Sequence, residues 1–273
     1  MPARRLAAWC AAGVQVAVGA RPVKLDCMTM KLLPPPCVSA DQLQAILQNQ
    51  GYAVVSAATV SALAQTPLAA LNALVTSWND LAPDEYLKDG GRYRKRRHAC
   101  FTVAGGELQA VPHRPHWQPL AYNALHGGMQ RWFAPMQSKV VGTPAWRQLL
   151  LALATLCTQV KGPQPWFVEA HQFRIDTTDG IGRPTPEGAH RDGVDLVAVF
   201  LIQRYAVKGG ETRVFEADGP HGQRFTLTEP WSLLLLDDAR VIHESTPIQP
   251  EIEGGYRDTL VVTLRARAFQ GEV

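Results

Sequence analysis

Three side chains in the second half of the chain have the types and spacing to hold a redox-active cation: His190 and Asp192 in AHRDGVD, and His243 in VIHESTP. Two neutral imidazoles and one carboxylate on one face of an ion are the donor set of non-haem ferrous centres. They leave positions open for a bidentate 2-oxo acid and for oxygen. In an extended segment residues i and i+2 point the same way, so His190 and Asp192 can converge while Arg191 points away. Gly193 lets the chain turn tightly just after them. An isolated H-x-D is more often a solvated turn, and His243 alone reads equally as a hydrogen-bonded core histidine. The weight lies in finding both halves next to apolar strands, with an arginine following.

That arginine opens YRDTLVVTLR, where Arg257, Thr259, Val261, Thr263 and Arg265 share one strand face. Arg257 has the planar fork that takes a carboxylate bidentately, and Thr259 can add a hydroxyl hydrogen bond. Arg265 competes for that role but sits at the far end of the face, where a solvated strand end is the simpler reading.

Candidates for gripping a substrate are more open. Gln172 and Arg174 share a face in EAHQFRI and either line a pocket or pair with Asp176; Glu187 stands just before the H-x-D. The run RYRKRRH allows three readings: a solvated strand edge, a surface for single-stranded nucleic acid, or a strand whose alternate members Arg94 and Arg96 point inward to a carboxylate. His113, His116 and His126 lack an acidic or cysteine partner at useful spacing and read as loop residues. Trp166 and Trp231 read as core or rim aromatics.

These groups need a scaffold, and the pattern supplies one. After the break LLPPPCVSADQ, Ser39 or Asp41 can cap a helix through QLQAILQNQ that ends at Gly51. SALAQTPLAALNALVTSWNDL continues at helical spacing, residues 92–126 hold two strands around Gly105-Gly106 and a Pro/His/Trp loop, and a broad-faced helix runs from about Pro144 to Val160. WFVEAHQFRI, VDLVAVFLI, ETRVFEA, RFTLTE, SLLLLD and TLVVTLR are then short strands with no helix between them long enough for parallel crossovers. The expected class is α+β, an antiparallel jelly roll with N-terminal helices.

Bulk properties narrow the function classes. With 27 basic and 24 acidic residues, a net charge of +3 argues for neither nucleic acid nor membrane. Five scattered cysteines without a C-x-x-C fit a reducing, cytoplasmic setting. No stretch offers the roughly 18 apolar residues of a membrane span. Residues 1–30 have a signal-peptide outline, yet Met28 and Met30 fit an over-extended start as well, and a leader or misplaced start without fixed structure is expected there. Residues 31–273 are expected to form one domain, with a helix-rich cover and outer strands in 31–165 and a jelly-roll core in 166–273.

HRDGVD, GGETRVF, VIHESTP and YRDTLVVTLR together resemble the Fe(II)/2-oxoglutarate dioxygenase superfamily. More narrowly, the order YRKRRHACF, AYNALHGGMQRWF, EAHQFRI, PEGAHRDGVDLV is similar to the bacterial subfamily of free L-isoleucine hydroxylases, over about residues 40 to 268. The resemblance implies a double-stranded β-helix core and Fe(II), 2-oxoglutarate and O2 as cofactor and co-substrates. It implies hydroxylation or sulfoxidation of a free aliphatic L-amino acid while 2-oxoglutarate becomes succinate and CO2. His190, Asp192 and His243 would hold iron, and Arg257 the co-substrate. The alternatives are a nucleic-acid or other small-molecule oxygenase of the same chemistry, or a non-catalytic metal-binding regulator.

Overall fold

The computed structural model describes residues 33–272, so the expected leader lies outside the described residues. In chain order the elements are α1 (Ala40–Gln50), β1 (Tyr52–Val55), α2 (Ala57–Leu63), α3 (Leu68–Asn72), a 3-10 helix (Val75–Asp80), β2 (Ala82–Pro83), β3 (Arg94–Ala104), β4 (Glu107–Ala110), α4 (Ser138–Val141) and α5 (Pro144–Lys161). They continue as β5 (Trp166–Asp176), β6 (Leu196–Tyr205), β7 (Val207–Gly209), β8 (Thr212–Glu216), β9 (Gly222–Phe225), β10 (Leu233–Asp237), β11 (Val241–Ser245), β12 (Ile248–Pro250) and β13 (Tyr256–Ala266).

The main sheet runs β1-β10-β6-β13-β5-β3-β2, with β4 on β3, and two small sheets, β11-β8-β9 and β12-β7, lie apart from it. Every ladder between named strands is antiparallel. This is the α+β class expected from the strand spacing, with the double-stranded β-helix core that the family resemblance implies. Strands on both sides of residue 165 share the main sheet, since β3 pairs with β5 along its length.

Alternation along the long central strands decides what faces what. Val168 and Ala170 of β5 and Leu260, Val262 and Leu264 of β13 pack against the apolar faces of α5 and the N-terminal helices, with Trp78, Trp146 and Leu150 fully buried between. The opposite residues, Glu169, His171 and Phe173 of β5 and Arg257, Thr259, Val261, Thr263 and Arg265 of β13, line a cavity. An apolar cluster joining the sheets, including Val197, Leu201, Val214, Phe225 and Val241, packs against Val194, Val199 and Val261 of the cavity lining. Tyr93, Ile175, Val207 and Ile248 form another. The polar residues left between them have no apolar role.

The run from Ser61 to Leu81, read at helical spacing, is helical in pieces, the end of α2, then α3 and a 3-10 turn, broken at Gln65, which has φ 47°, and at Pro67. Among the described residues, the helices of the expected helix-rich cover do not line the cavity. The helices must bury their apolar faces, and the outer face of the main sheet is the apolar one. Residues of the Pro/His/Trp loop, His116, Gln118, Asn123 and Arg131, line the cavity instead. Among the described residues no single helix is long and apolar enough to cross a membrane.

Candidate active site

His190, Asp192 and His243 meet at the cavity wall. A single backbone bridge sets the meeting: the amide of each histidine donates to the carbonyl of the other, both at 3.0 Å. His243 belongs to β11 and His190 to the loop running beside it. His190 Nε2 lies 3.9 Å from Asp192 Oδ1, and His243 Nε2 lies 3.8 Å from Asp192 Oδ2. One donor atom from each residue falls within 4.8 Å of the other two, a spacing that one ion can bridge.

Neighbouring groups fix the orientation of these ligands. His190 Nδ1 donates to the Gly188 carbonyl at 2.9 Å, which leaves Nε2 to face the site. The carboxylate of buried Asp238 accepts from the amides of Asp192, Gly193 and Val194 at 2.7 to 3.1 Å and clamps the loop. Gly193 has φ +78°, and a Cβ there would stand 2.5 Å from the Tyr122 ring, so the turn demands glycine. Burial, aided by the His190 charge, drives His243 far below the usual imidazole pKa and keeps it neutral. Burial pushes Asp192 up to about 6 despite the adjacent His190. A desolvated carboxylate that shares its pocket with two imidazoles is what a bound divalent cation relieves. The donor set therefore fits ferrous iron.

Arg257 stands on the same cavity, 3% exposed, with no protein partner for its Nε. Burial and the nearby Arg204 lower its pKa to about 10, while Arg204 donates its Nη2 to the Val207 and Gly209 carbonyls. A buried, partnerless guanidinium is costly unless an anion fills it. Thr259 lines the cavity two residues along. Arg265, the rival candidate, donates to the carbonyls of Ala268 and Phe269 and serves as a local brace.

A second polar cluster shares the cavity. Arg94, Arg96 and His98 point inward from β3, opposite Asp84, which takes Arg94 at 2.7 Å and Arg96 at 3.7 Å. Glu169 Oε2 is approached by His116 Nδ1 at 2.5 Å, His98 Nε2 at 3.3 Å and His171 Nε2 at 3.7 Å. Three imidazoles and a carboxylate could hold a metal by composition, but the geometry speaks against it. The rings of His98 and His171 are stacked at 4.5 Å and 12°, so their in-plane lone pairs run parallel rather than converge. Arg96 also donates to His171 Nδ1 at 2.7 Å, which places the His171 proton on Nε2, toward Glu169. The cluster is a carboxylate held ionised by imidazole donors, with Glu169 well below the usual range because these bonds outweigh its burial.

Burial keeps the histidines neutral and lowers His116 to about 4 from 6.5. Between those values the unfolded chain binds more protons than the folded one, so stability falls as pH drops from 6.5 to 4. His98 and His171 shift in the same direction. Loss of about 3 kcal/mol from His116 alone is expected across that window. Urea midpoints measured at pH 7.5 and pH 5 check this, and identical midpoints would contradict it.

The structure turns two sequence candidates out of the cavity. Gln172 shares the parity of Val168 and Ala170 and donates to Ser77 Oγ at 2.7 Å under the helices. Arg174 forms a bidentate pair with Asp258 rather than with Asp176. Arg94, Arg96, Glu187 and Thr259 do line the cavity, as do His116, Gln118, Arg131 and Glu169, which sequence reading did not select. The basic run offers no continuous cationic face, since Lys95 pairs with Asp176 and Arg97 with Asp80 on the other side.

The profile of the family described as 2OG-Fe dioxygenase matches residues 75–263. Among solved structures, the chain is similar to a bsmA homologue from Methylobium petroleophilum PM1, with 51% identity, a TM-score of 0.83 and coverage of 87% of this chain and 97% of that one. Its fold also resembles IDO from Bacillus thuringiensis, with 16% identity, TM-score 0.69 and coverage of 85% and 97%. It resembles the Fe(II)/α-ketoglutarate-dependent dioxygenase TqaL too, with 19% identity, TM-score 0.65 and coverage of 85% and 88%. No match to the chain was found among curated proteins. The family profile spans most of the chain and includes both histidines, the aspartate and the buried arginine described above, so the chain belongs to the 2OG-Fe dioxygenase family and is a 2-oxoglutarate-dependent non-haem iron dioxygenase.

Proposed function

We propose that this dioxygenase acts on a free aliphatic L-amino acid, hydroxylating a carbon or oxidising a thioether, while 2-oxoglutarate becomes succinate and CO2. One observation carries the reading: the cavity that contains the iron ligands also presents unfilled groups of both signs, apart from Arg257. Arg94 Nη2, Arg96 Nε and Arg131 Nε are buried without partners, and so is Glu187 Oε2. All four residues line the cavity. Burial lowers the Arg131 pKa to about 10, with Arg94 adding to it, as for cations short of counter-charge. A zwitterion with carboxylate and ammonium a few ångströms apart satisfies both sets.

The remaining lining suits an aliphatic side chain, with Phe173, Val194, Val199 and Val261 on the walls. Arg96 lies flat between Phe133 and Phe173, 3.6 and 4.4 Å from the ring centroids, which fixes its fork without using its donors. When bound, ferrous iron with 2-oxoglutarate and O2 supplies the oxidising power that places one oxygen atom on the substrate and one in succinate. The protein's part is positional. Arg257 and Thr259 anchor the distal carboxylate of the co-substrate, the Arg94, Arg96 and Arg131 group fixes the substrate carboxylate, and the valines keep water from the reacting carbon.

Cys37, Cys100 and Cys157 are free thiols, which supports a reducing, cytoplasmic setting for this small-molecule enzyme. A panel of free L-amino acids incubated with Fe(II), ascorbate and 2-oxoglutarate tests the reading. Succinate release should rise with an aliphatic or sulfur-containing member, whose product is heavier by one oxygen. The matching amino-acid amide should be a far poorer substrate, and Arg96→Met should raise the amino-acid KM roughly 10- to 100-fold through loss of a charge-assisted bond. No stimulation across the panel, or equal use of the amide, would overturn it.

A further inference from the structure

We propose that Gln118 is a positioning residue that ties the orientation of the iron carboxylate, Asp192, to the arginine subsite through Arg131. Gln118 is buried on the Pro/His/Trp loop between the two groups. Its Nε2 donates to Asp192 Oδ1 at 3.1 Å. Its Oε1 accepts from Arg131 Nη2 at 2.9 Å and from Asn123 Nδ2 at 3.2 Å.

The direction of this bridge follows from the chemistry of its two ends. An arginine has only donors, so the end of Gln118 facing Arg131 must be the oxygen. The end facing the ionised aspartate must then be the NH2. No other uncharged side chain of this length presents an acceptor to a guanidinium and a donor to a carboxylate at once. The loop carrying it is pinned on the same site: His116 and Arg131 exchange both backbone hydrogen bonds at 2.9 and 3.0 Å, and Gly128 N donates to the Gln118 carbonyl at 2.8 Å.

The consequence falls on Asp192. Gln118 takes up one lone pair of Oδ1, which lies 3.9 Å from His190 Nε2, whereas Oδ2, 3.8 Å from His243 Nε2, keeps both of its own. The bridge thus favours ligation through one oxygen, which keeps positions on the ion for a chelating 2-oxo acid and for oxygen. Whatever moves Arg131 is felt at that carboxylate through a single side chain. The proposal uses the iron site alone and does not depend on which substrate the arginines hold.

The test is calorimetric titration of Mn(II), with no 2-oxoglutarate or substrate, into the full-length apoprotein. The proteins compared are wild type, Gln118→Leu, Arg131→Met and the double variant, each first checked for native circular dichroism. Gln118→Leu should weaken Mn(II) binding roughly 10- to 100-fold, the range for removing an outer partner of a metal ligand. Arg131→Met, which touches no ligand, should weaken it in the same direction. The double variant should bind no more weakly than Gln118→Leu, because the two act through one bridge. If Arg131→Met fails to fold, Arg131→Lys, which keeps one donor, takes its place and should be non-additive with Gln118→Leu in the same way. Wild-type Mn(II) affinity in Gln118→Leu would overturn the proposal, as would effects of Gln118 and Arg131 that multiply. A merely structural role for either residue would give the multiplicative result.

Discussion

Asp192→Asn is expected to lower Fe(II)-dependent succinate formation by roughly a thousandfold or more while making the metal-free protein more stable. The loss follows from replacing an anionic ligand by a neutral one, which removes more than about 4 kcal/mol of ion binding and charge stabilisation at ~1.4 kcal/mol per factor of ten. The fold should survive. The Asp238 clamp holds the backbone at this position and ignores its side chain, and an asparagine oxygen still accepts from Gln118. The gain follows from the raised pKa. A carboxyl at about 6 in the folded state against 3.8 unfolded binds the proton more tightly when folded, so its ionisation weighs against folding above pH 6 and not below about 4. The metal-free variant should therefore melt several degrees above wild type at pH 8 and converge with it near pH 4. Thermal melts in chelator at the two pH values check this.

Arg257→Met is expected to raise the 2-oxoglutarate requirement roughly 10²- to 10³-fold, through loss of two charge-assisted bonds worth about 1.5–3 kcal/mol each. Fe(II) affinity should change by no more than a few-fold, because Arg257 touches none of the three ligands. Here too the apoprotein should not suffer. The guanidinium is buried, faces Arg204 and has no protein partner for Nε, so an apolar side chain of similar length removes a desolvated charge that Asp258 offsets only in part. Steady-state kinetics at varied 2-oxoglutarate, with melts of the metal-free proteins, separate the two effects. A lower melting temperature together with unchanged KM would mean that Arg257 is a structural cation.

Both predictions share a physical pattern. The residues assigned to the chemistry are those whose buried charge lacks full pairing within the protein, and the sequence shows some of them more readily than others. His190, Asp192, His243 and Arg257 were legible because each lies beside or within an apolar strand whose period of two assigns a face, and because two of them are separated by a single residue. The same alternation placed Arg94 and Arg96 on one side of β3. It also contained the signal that Gln172 and Arg174 face away: they share parity with Val168 and Ala170, which pack under the helices, while Glu169 and His171 hold the other face.

What the chain order hides is convergence across strands and loops. Glu169 meets His116 from a loop and His98 from another strand, with His98 and His171 as direct cross-strand partners in the β3–β5 register. No spacing rule links those positions before the register is known. Gln118, Asn123 and Arg131 lie in a loop without periodicity, and Asp238, in the turn after β10, clamps the iron loop with no motif around it to mark the role. The break between α2 and α3 was signalled by Pro67, yet apolar spacing on either side concealed it.

The central claim is that His190, Asp192 and His243 hold one ferrous ion on which 2-oxoglutarate chelates, with Arg257 at its far carboxylate. Anaerobic addition of Fe(II) and then 2-oxoglutarate, followed by visible absorption, tests it directly, because a 2-oxo acid chelated to ferrous iron gives a charge-transfer band. Wild type should develop the band at one iron per chain, Asp192→Asn should not, and Arg257→Met should develop it only at far higher 2-oxoglutarate. A wild-type protein that shows no band, or an Asp192→Asn protein that shows the wild-type band at the same concentrations, would contradict the account.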